Sequence, residues 1–116
     1  MARIYLGRVY LAMGETDKAR ETYDQCLKEK ELAAEAYNGL AYCAASEEDY
    51  ETALSYIQEG LDQGDQEEQQ ALLFNQIIVY EKMTDYDTAR EKVSEYLKLY
   101  PADENAIREN YFLETR

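Results

Sequence analysis

The amino-acid sequence predicts an all-α fold built from repeated helical hairpins, and three observations predict it. The 116-residue chain is rich in the helix-favouring residues Glu, Ala, Leu, Lys and Gln, and it contains one Pro and five Gly. Apolar residues recur at helical i, i+3, i+4 and i+7 steps in residues 50–61 and 86–100. The stretch MGETDKARE at 13–21 returns as MTDYDTARE at 83–91.

A third copy lies between these two stretches and defines a repeat. The segment EEDYETALS at 47–55 aligns with both, so that Ala19, Ala53 and Ala89 are equivalent and stand 34 and 36 residues apart. The flanking residues align in the same register: Tyr23 with Ile57 and Val93, Cys26 with Gly60 and Tyr96, and Leu27 with Leu61 and Leu97. A period of this length is typical of a helix–turn–helix unit that stacks on its neighbours.

Taken in order, the segments predict seven helices. Their approximate ranges are 2–13, 17–29, 33–46, 50–63, 66–83, 86–100 and 103–115. Asp17, Asp49 and Asp85 lie near the turn inside each hairpin, where an Asp side chain caps a helix N-terminus. Gly64 is expected to end the fourth helix, with Asp65 opening the fifth and Asp103 the seventh.

Two departures from the repeat affect the expected packing. Glu48 stands where the first unit has Gly14, so the second hairpin turn must form without glycine. Gln76 and Ile77 stand where the first unit has Leu6 and Gly7, so we expect the third hairpin to pack more widely.

The pattern resembles the tetratricopeptide repeat (TPR) family. The matching residues are Leu6, Gly7, Tyr10, Gly14, Ala19, Tyr23 and Leu27 in the first unit, Tyr37, Leu40, Asp49, Tyr50, Ala53 and Leu61 in the second, and Leu73, Tyr80, Asp85, Tyr86, Ala89, Leu97 and Pro101 in the third. The resemblance implies a single domain over 1–116, a right-handed α-solenoid with units at about 2–31, 34–65 and 68–101. A C-terminal capping helix at about 103–115 follows them.

The resemblance also implies a partner-binding groove, because the first helices of TPR units line a concave surface that binds peptides. Helical spacing projects this groove onto Ile4, Arg8, Leu11, Asn38, Tyr42, Phe74, Ile78, Glu81, Arg108 and Phe112, together with Ala45. Such a surface suits a peptide with apolar or aromatic anchors and an acidic group, and Tyr42 is the foremost candidate for a ligand contact.

Two further interpretations of this surface stay open. Phe74, Ile78 and Phe112 can instead be core, since an apolar stripe at helical spacing is usually buried. The chain can then be a structural or assembly element that packs against another domain or self-associates. One TPR subtype clamps a C-terminal carboxylate with Lys, Asn and Arg; the corresponding face here lacks the Lys residues, so we expect no such clamp.

The charge is concentrated in the middle of the chain. Residues 31–81 contain twelve Asp and Glu and no Lys or Arg, so this segment carries −12 of the net charge of −13. A strongly acidic chain disfavours nucleic-acid partners, whose phosphates require a basic surface. The acidic segment is either a solvated surface or a docking surface for a basic partner, whose binding would weaken steeply as salt rises.

Catalysis and cofactor or metal binding are not expected. The chain has no His, so it has no Ser-His or Cys-His nucleophile pair, and no Gly-rich phosphate loop or calcium loop. Cys26 and Cys43 do not have the spacing of a zinc site. We expect them to be two buried free thiols, while a disulfide between them stays open.

The sequence does not identify a compartment. It contains no apolar run long enough to span a membrane, and its N-terminal stretch does not have the pattern of a signal peptide. The first helix begins abruptly at MARIYLG, so we expect a fragment of a longer array, and the cytoplasm is only slightly favoured as its location.

Overall fold

A computed structural model describes the backbone of residues 2–115 and the side chains of residues 3–115. This part of the chain contains seven α-helices, one 3₁₀ turn and no strand. The helices are α1 (Ala2–Ala12), α2 (Thr16–Cys26), α3 (Ala33–Ser46), α4 (Tyr50–Asp62), α5 (Gln66–Lys82), α6 (Tyr86–Leu99) and α7 (Glu104–Glu114), and the 3₁₀ turn is Lys30–Leu32. The predicted all-α class with seven helices is confirmed.

The chain forms two compact units, Met1–Gln69 and Gln70–Arg116, which meet inside α5. Unit 1 contains α1 to α4 and the first turn of α5, and unit 2 contains the rest of α5 with α6 and α7. The repeat boundaries expected within one domain stay a prediction.

The core of unit 1 is organised around the ring of Tyr23. Tyr23 lies on α2 and is 2% exposed. Gly7 of α1 faces its ring so closely that a Cβ atom there would lie 2.8 Å from two of the ring carbons, and a Cβ at Gly39 of α3 would overlap the ring outright. Burial raises the pKa of the Tyr23 hydroxyl to about 12. Tyr23 therefore joins three helices, and both neighbouring helices must present glycine to it.

The other buried residues of the cluster around Tyr23 are small or aliphatic. They are Ile4, Ala19, Cys26, Leu32, Ala36, Leu40 and Cys43. Cys26 and Cys43 are free and buried, as predicted, and burial raises the pKa of both thiols. Buried thiols of this kind behave as small apolar side chains.

The three hairpin turns share one backbone geometry. Gly14, Glu48 and Thr84 have φ of 78°, 63° and 61° respectively. In each turn the next residue donates its N–H to a carbonyl five residues earlier, as from Asp49 to Ala44 at 2.9 Å. This is the helix C-terminal motif that normally places glycine at the left-handed position. The prediction that the second turn forms without glycine is confirmed, but its backbone still adopts the conformation that glycine favours.

Aspartate caps two of the helices that follow these turns. Asp49 accepts the backbone N–H of Thr52 at 3.3 Å, and Asp85 accepts that of Thr88 at 3.2 Å. The same prediction is wrong for Asp17. It lies inside the first turn of α2 and accepts from Arg20, because the residue equivalent to Asp49 and Asp85 is Glu15. Glu15 occupies the N-cap position and makes no side-chain cap bond.

The predicted caps of the fifth and seventh helices are also confirmed. Asp65 accepts the backbone N–H groups of Glu67 and Glu68 at 3.0 and 3.3 Å. Asp103 accepts those of Asn105 and Ala106 at 3.0 and 3.3 Å.

Unit 2 packs its hairpin differently from unit 1. Ile77 of α5 occupies the position of Gly7 and is buried against Ala89 and Val93 of α6. Ile77 thus contributes a large aliphatic side chain at the position where α1 has glycine. The wider packing expected from this replacement stays a prediction.

Glycine at the two strained turn positions should stabilise the protein. We expect Glu48→Gly and Thr84→Gly each to raise the free energy of unfolding by about 1 kcal/mol, because a left-handed conformation costs a residue with a Cβ atom about that much. Chemical denaturation of each variant measures the effect. Gly14→Ala is the matched control and should destabilise by a similar amount; stabilisation by Gly14→Ala, or no gain from either glycine variant, would contradict this account.

The fit between Tyr23 and Gly39 can be tested by a double-mutant cycle. We expect Gly39→Ala to lower the free energy of unfolding by about 1–3 kcal/mol through overpacking against the ring. In a Tyr23→Ile background, which copies the equivalent Ile57 of the second repeat, the same change should be neutral or stabilising, since Ala favours helix over Gly. An equal loss in both backgrounds would show that the ring is not the cause.

Candidate functional site

An open groove of about 520 Å³ lies in unit 2, between the C-terminal end of α5, the start of α6 and one face of α7. Its lining residues are Ile78, Glu81, Lys82, Tyr86, Arg108, Glu109 and Phe112. The apolar part consists of one aliphatic and two aromatic side chains, and two cations and two carboxylates surround it. This combination of an apolar floor with convergent polar groups is typical of ligand-binding clefts.

The hairpin turn between α5 and α6 determines which of their side chains line the groove. Three lining residues, Ile78, Glu81 and Lys82, belong to the last turns of α5, and Tyr86 is the first residue of α6. The turn at Thr84 therefore brings α5 and α6 side chains to the same end of unit 2. The groove depends on this turn and on the placement of α7.

Asp103 holds α7 in place from its N-terminus. Its carboxylate accepts the Tyr96 hydroxyl and the Gln70 side-chain amide, the latter at 3.2 Å, in addition to the two backbone N–H groups at the helix start. These bonds, first among them the one from Tyr96, hold the pKa of Asp103 below its usual value of 3.8. At the other end of α7, Arg90 of α6 donates to the Leu113 carbonyl oxygen at 3.2 Å. Both ends of α7 are thus fixed by α6 and α5.

The groove is nearly balanced in charge, in contrast with the acidic middle of the sequence. Lys82 and Arg108 face Glu81 and Glu109 around the apolar floor. The guanidinium of Arg108 donates to the Asn105 side chain on its own helix, and the residue is exposed. A partner segment at this site would therefore meet charge of both signs within a short distance.

Four of the predicted site residues come together here. Ile78, Glu81, Arg108 and Phe112 all line the groove. Ile78 is half-buried and Phe112 is 38% exposed, so neither is purely a core residue. Phe74 instead packs into the core of unit 2, where its ring meets that of Tyr96 edge-on with centroids 5.8 Å apart. Phe74 does not line this groove, and its role in binding stays a prediction.

Of the predicted site residues of unit 1, some lie in the core, some form polar pairs and one is well exposed. Ile4 is 2% exposed and belongs to the core with Ala36 and Leu40, so its prediction as a groove residue is wrong. The reason is that α3 packs over this face of α1. Leu11 is half-buried against the same core.

Polar pairs cross the remaining predicted surface of unit 1. Arg8 forms an ion pair with Glu35 of α3, and its guanidinium lies 5.4 Å from the ring centroid of Tyr5. The Asn38 amide donates to Glu68 at 3.5 Å. Burial is the main cause that raises the pKa of Glu68 above its usual value.

Tyr42 and Ala45 complete the predicted surface of unit 1. Tyr42 is 58% exposed, and Ala45 is half-buried on the same helix. Tyr42 is thus accessible to a partner.

Three groove residues, Lys82, Tyr86 and Glu109, were not predicted from the sequence. Tyr86 occupies a large-residue position of the repeat, where an aromatic side chain usually packs in the core. Their positions in the sequence could have indicated them. Lys82 and Glu109 directly follow predicted groove residues, and Tyr86 is the first residue of the helix after the turn. A groove at the turn end of a hairpin necessarily includes the first residue of the second helix.

The described residues contain neither a metal-binding cluster nor a membrane-spanning helix. Residues 3–115 contain no cluster of Cys, Asp or Glu side chains arranged to hold a metal ion. In the same part of the chain, no helix has the length and apolar character needed to cross a membrane.

Comparison with protein families identifies the class of this chain. The model of the tetratricopeptide repeat family matches residues 6–68, which is more than half of the chain. The chain belongs to the tetratricopeptide repeat family. A search of curated proteins found no match.

Solved structures share the fold over nearly the whole chain. The first TPR domain of Spaghetti (RPAP3), bound to an HSP90 peptide, matches with a TM-score of 0.84 and 13% identity over 98% of this chain and 91% of its own. The second TPR domain of human RPAP3, in complex with an HSP70 peptide, matches with a TM-score of 0.80 and 14% identity over 98% and 93%. MamA matches with a TM-score of 0.77 and 19% identity over 96% of this chain, which spans 60% of the MamA chain. At these identities the likeness establishes the all-α TPR fold.

The anchoring of α7 by Asp103 predicts a measurable titration. We expect the Asp103 carboxyl to titrate below 3.8 in carbon-detected NMR, and Tyr96→Phe to raise that pKa by removing its main hydrogen bond. Since the folded-state pKa is depressed, the ionised Asp103 stabilises unit 2 above the unfolded value, and this stabilisation is lost as pH falls through the folded value. An unchanged Asp103 pKa in Tyr96→Phe would contradict this assignment.

Proposed function

We propose that this chain is a non-catalytic protein-binding module and that the groove of unit 2 receives an apolar or aromatic side chain from a partner segment. The observation that carries the proposal is the groove itself, with Ile78, Tyr86 and Phe112 accessible between three helices. Apolar side chains that remain accessible at the centre of a cleft are the usual anchors of a protein interface.

The comparisons support the general class of this function. Two TPR domains with the same fold are bound to peptides, one from HSP90 and one from HSP70. That fold therefore accommodates short partner segments. Because the sequence identity to these two domains is low, we infer the kind of partner from the side chains of this chain.

The side chains around the groove favour a segment with an apolar anchor between polar residues of both signs. Lys82 and Arg108 can each hold a carboxylate, and Glu109 can hold a basic group. A segment with one sign of charge would satisfy only half of these groups. The volume of about 520 Å³ is within the usual range of ligand clefts and is large enough for an aromatic side chain.

The surface of unit 1 argues against a carboxylate clamp. Arg8 and Asn38, the two residues that could contribute to one, are bound to Glu35 and Glu68 respectively. An incoming carboxylate would have to displace these side-chain carboxylates and would meet their negative charge. We therefore place the principal contact in unit 2.

Peptide selection followed by substitution tests this proposal. Peptides selected from a random display library against the purified chain should carry an aromatic or large aliphatic anchor, and Phe112→Ala should weaken their binding at least about tenfold by removing the apolar floor. Ile78→Glu should weaken it further through a buried charge. Isothermal titration calorimetry measures both effects.

Tyr111→Ala provides the matched control on the same helix. Tyr111 is 71% exposed and does not line the groove, so its removal should leave binding within about twofold. Equal losses for Phe112→Ala and Tyr111→Ala, or no loss for either groove variant, would place the binding surface elsewhere.

The alternative function is an assembly element that uses the same apolar surface. Ile78 and Phe112 would then be covered by another domain or by a second copy. Sedimentation of the groove variants separates the two: a change in mass for Phe112→Ala favours assembly, and an unchanged mass with lost peptide binding favours the binding module.

A second protein-binding function would be the docking of a basic partner on the acidic segment, residues 31–81. Six acidic side chains of this segment are exposed along the end of α3 and along α4: Glu47, Glu48, Asp49, Glu51, Glu59 and Asp62. Glu47 already pairs with Arg20 of α2. Asp49 accepts the N–H of Thr52, and Asp62 accepts the side-chain amide of Gln58. All six residues are exposed, so attraction to a basic protein would be strong at low salt and screened at high salt.

A further inference from the structure

An asparagine directly precedes a glycine in the middle of α3. The pair is Asn38 and Gly39, whereas the other asparagines of the sequence, Asn75, Asn105 and Asn110, precede Gln, Ala and Tyr. Asparagine before glycine is the pair most prone to deamidation, because glycine has no Cβ atom to keep its backbone nitrogen away from the preceding side-chain amide. Glycine also weakens the helix in which the pair lies.

Two packing contacts account for this pair. A Cβ atom at position 39 would overlap the ring of Tyr23, so the space there fits only glycine. The side-chain amide of Asn38 donates to the carboxylate of Glu68 at 3.5 Å, and a half-buried carboxylate of this kind is stabilised by a donor. The contacts that build unit 1 therefore hold a chemically labile pair in place.

The folded helix protects the pair from reaction. Deamidation begins when the backbone nitrogen of Gly39 attacks the side-chain carbonyl carbon of Asn38. Inside α3 (Ala33–Ser46) that N–H belongs to the helical hydrogen-bond pattern, and the helical backbone of Asn38 keeps its side-chain carbon away from the nitrogen. The reaction therefore requires α3 to open, and its rate depends on how much of the protein is in the open form.

We propose that Asn38 is a deamidation site that reacts when α3 opens, and that the product weakens the closed form of unit 1. In the open helix, a bond forms between the Gly39 nitrogen and the side-chain carbon of Asn38. The bond from that carbon to the amide nitrogen breaks, and the amide leaves as ammonia with the hydrogen atom of the Gly39 nitrogen. Water then opens the resulting succinimide ring at either of its carbonyl groups, which gives aspartate or isoaspartate.

Charge makes the aspartate product unfavourable in folded unit 1. A carboxylate at position 38 would replace the donor to Glu68 with a like charge. Glu68 already resists ionisation, because burial and then the nearby Asp65 raise its pKa above the usual value. Arg8 is the nearby cation, and it is paired with Glu35. Isoaspartate would in addition place an extra carbon atom in the backbone and interrupt the hydrogen bonds of α3.

The change would therefore act in one direction. Each opening of α3 allows a reaction whose product makes the next opening easier. The site lies in unit 1 and is independent of the peptide binding proposed for the groove of unit 2, so either proposal can fail without affecting the other.

Peptide mass spectrometry of the incubated chain tests the reaction. In urea, we expect Asn38 to deamidate faster than the three asparagines that do not precede glycine, which serve as internal controls. In the folded protein, we expect the rate at Asn38 to be at least about tenfold lower than in urea. Equal rates for all asparagines in urea would overturn the site, and equal rates at Asn38 in the two conditions would overturn its protection by α3.

A variant that leaves the pair intact tests the dependence on opening. Gly14→Ala, which strains the first hairpin turn, should raise the rate at Asn38 in the folded protein several-fold by increasing the open population. Asn38→Gln is the chemical control. It keeps an amide donor and should stay unmodified, because the longer side chain cyclises far more slowly. A destabilised Gly14→Ala protein with an unchanged rate at Asn38 would show that opening does not control the reaction.

Asn38→Asp tests the consequence, because it carries the aspartate product from the start. We expect urea to unfold this variant at a lower concentration than the parent chain, and Glu68→Gln to recover part of the loss by removing one of two like charges. Glu67→Gln is the matched control on the adjacent, exposed residue and should recover much less. An Asn38→Asp protein as stable as the parent, or equal recovery by both glutamine variants, would overturn the proposed effect on unit 1.

Discussion

The close approach of Tyr23 to two glycines is the constraint on which unit 1 depends. The ring lies where Gly7 of α1 and Gly39 of α3 leave room for it, so one side chain sets the distances of α2 from two neighbouring helices. Packed interiors tolerate neither a gap nor an extra methyl group at such a point. The ion pairs Arg8–Glu35 and Arg20–Glu47 lie around this contact and add specificity more than free energy, because their members are partly exposed.

In the hairpin of unit 2, the larger side chain of this contact lies on the first helix instead of the second. Ile77 stands at the position of the glycine and Val93 at that of the tyrosine, and both are buried in one cluster. α7 packs on that cluster through Ala106 and Leu113 and is held at its two ends by Asp103 and Arg90. An open groove remains between the hairpin turn and α7.

The sequence predicted the helices and turns well, because each depends on local signals that recur in all three repeat units. It predicted the site less well. Helical spacing gives the direction of a side chain, and Ile78 and Phe112 do line the candidate groove, but Ile4 has the same spacing and is buried in the core. The pairing of Asn38 with Glu68 depends in the same way on how separate helices meet, which periodicity does not encode.

The fit of Tyr23 also limits how such a chain can change by duplication. In the register of 34 residues, Tyr5 of the first repeat is the counterpart of Gly39 in the second. A recombination event that copied the first repeat in tandem would place a tyrosine where the ring of Tyr23 already fills the space. A repeat that follows one with tyrosine at the position of Tyr23 must therefore carry a small residue at the position of Gly39.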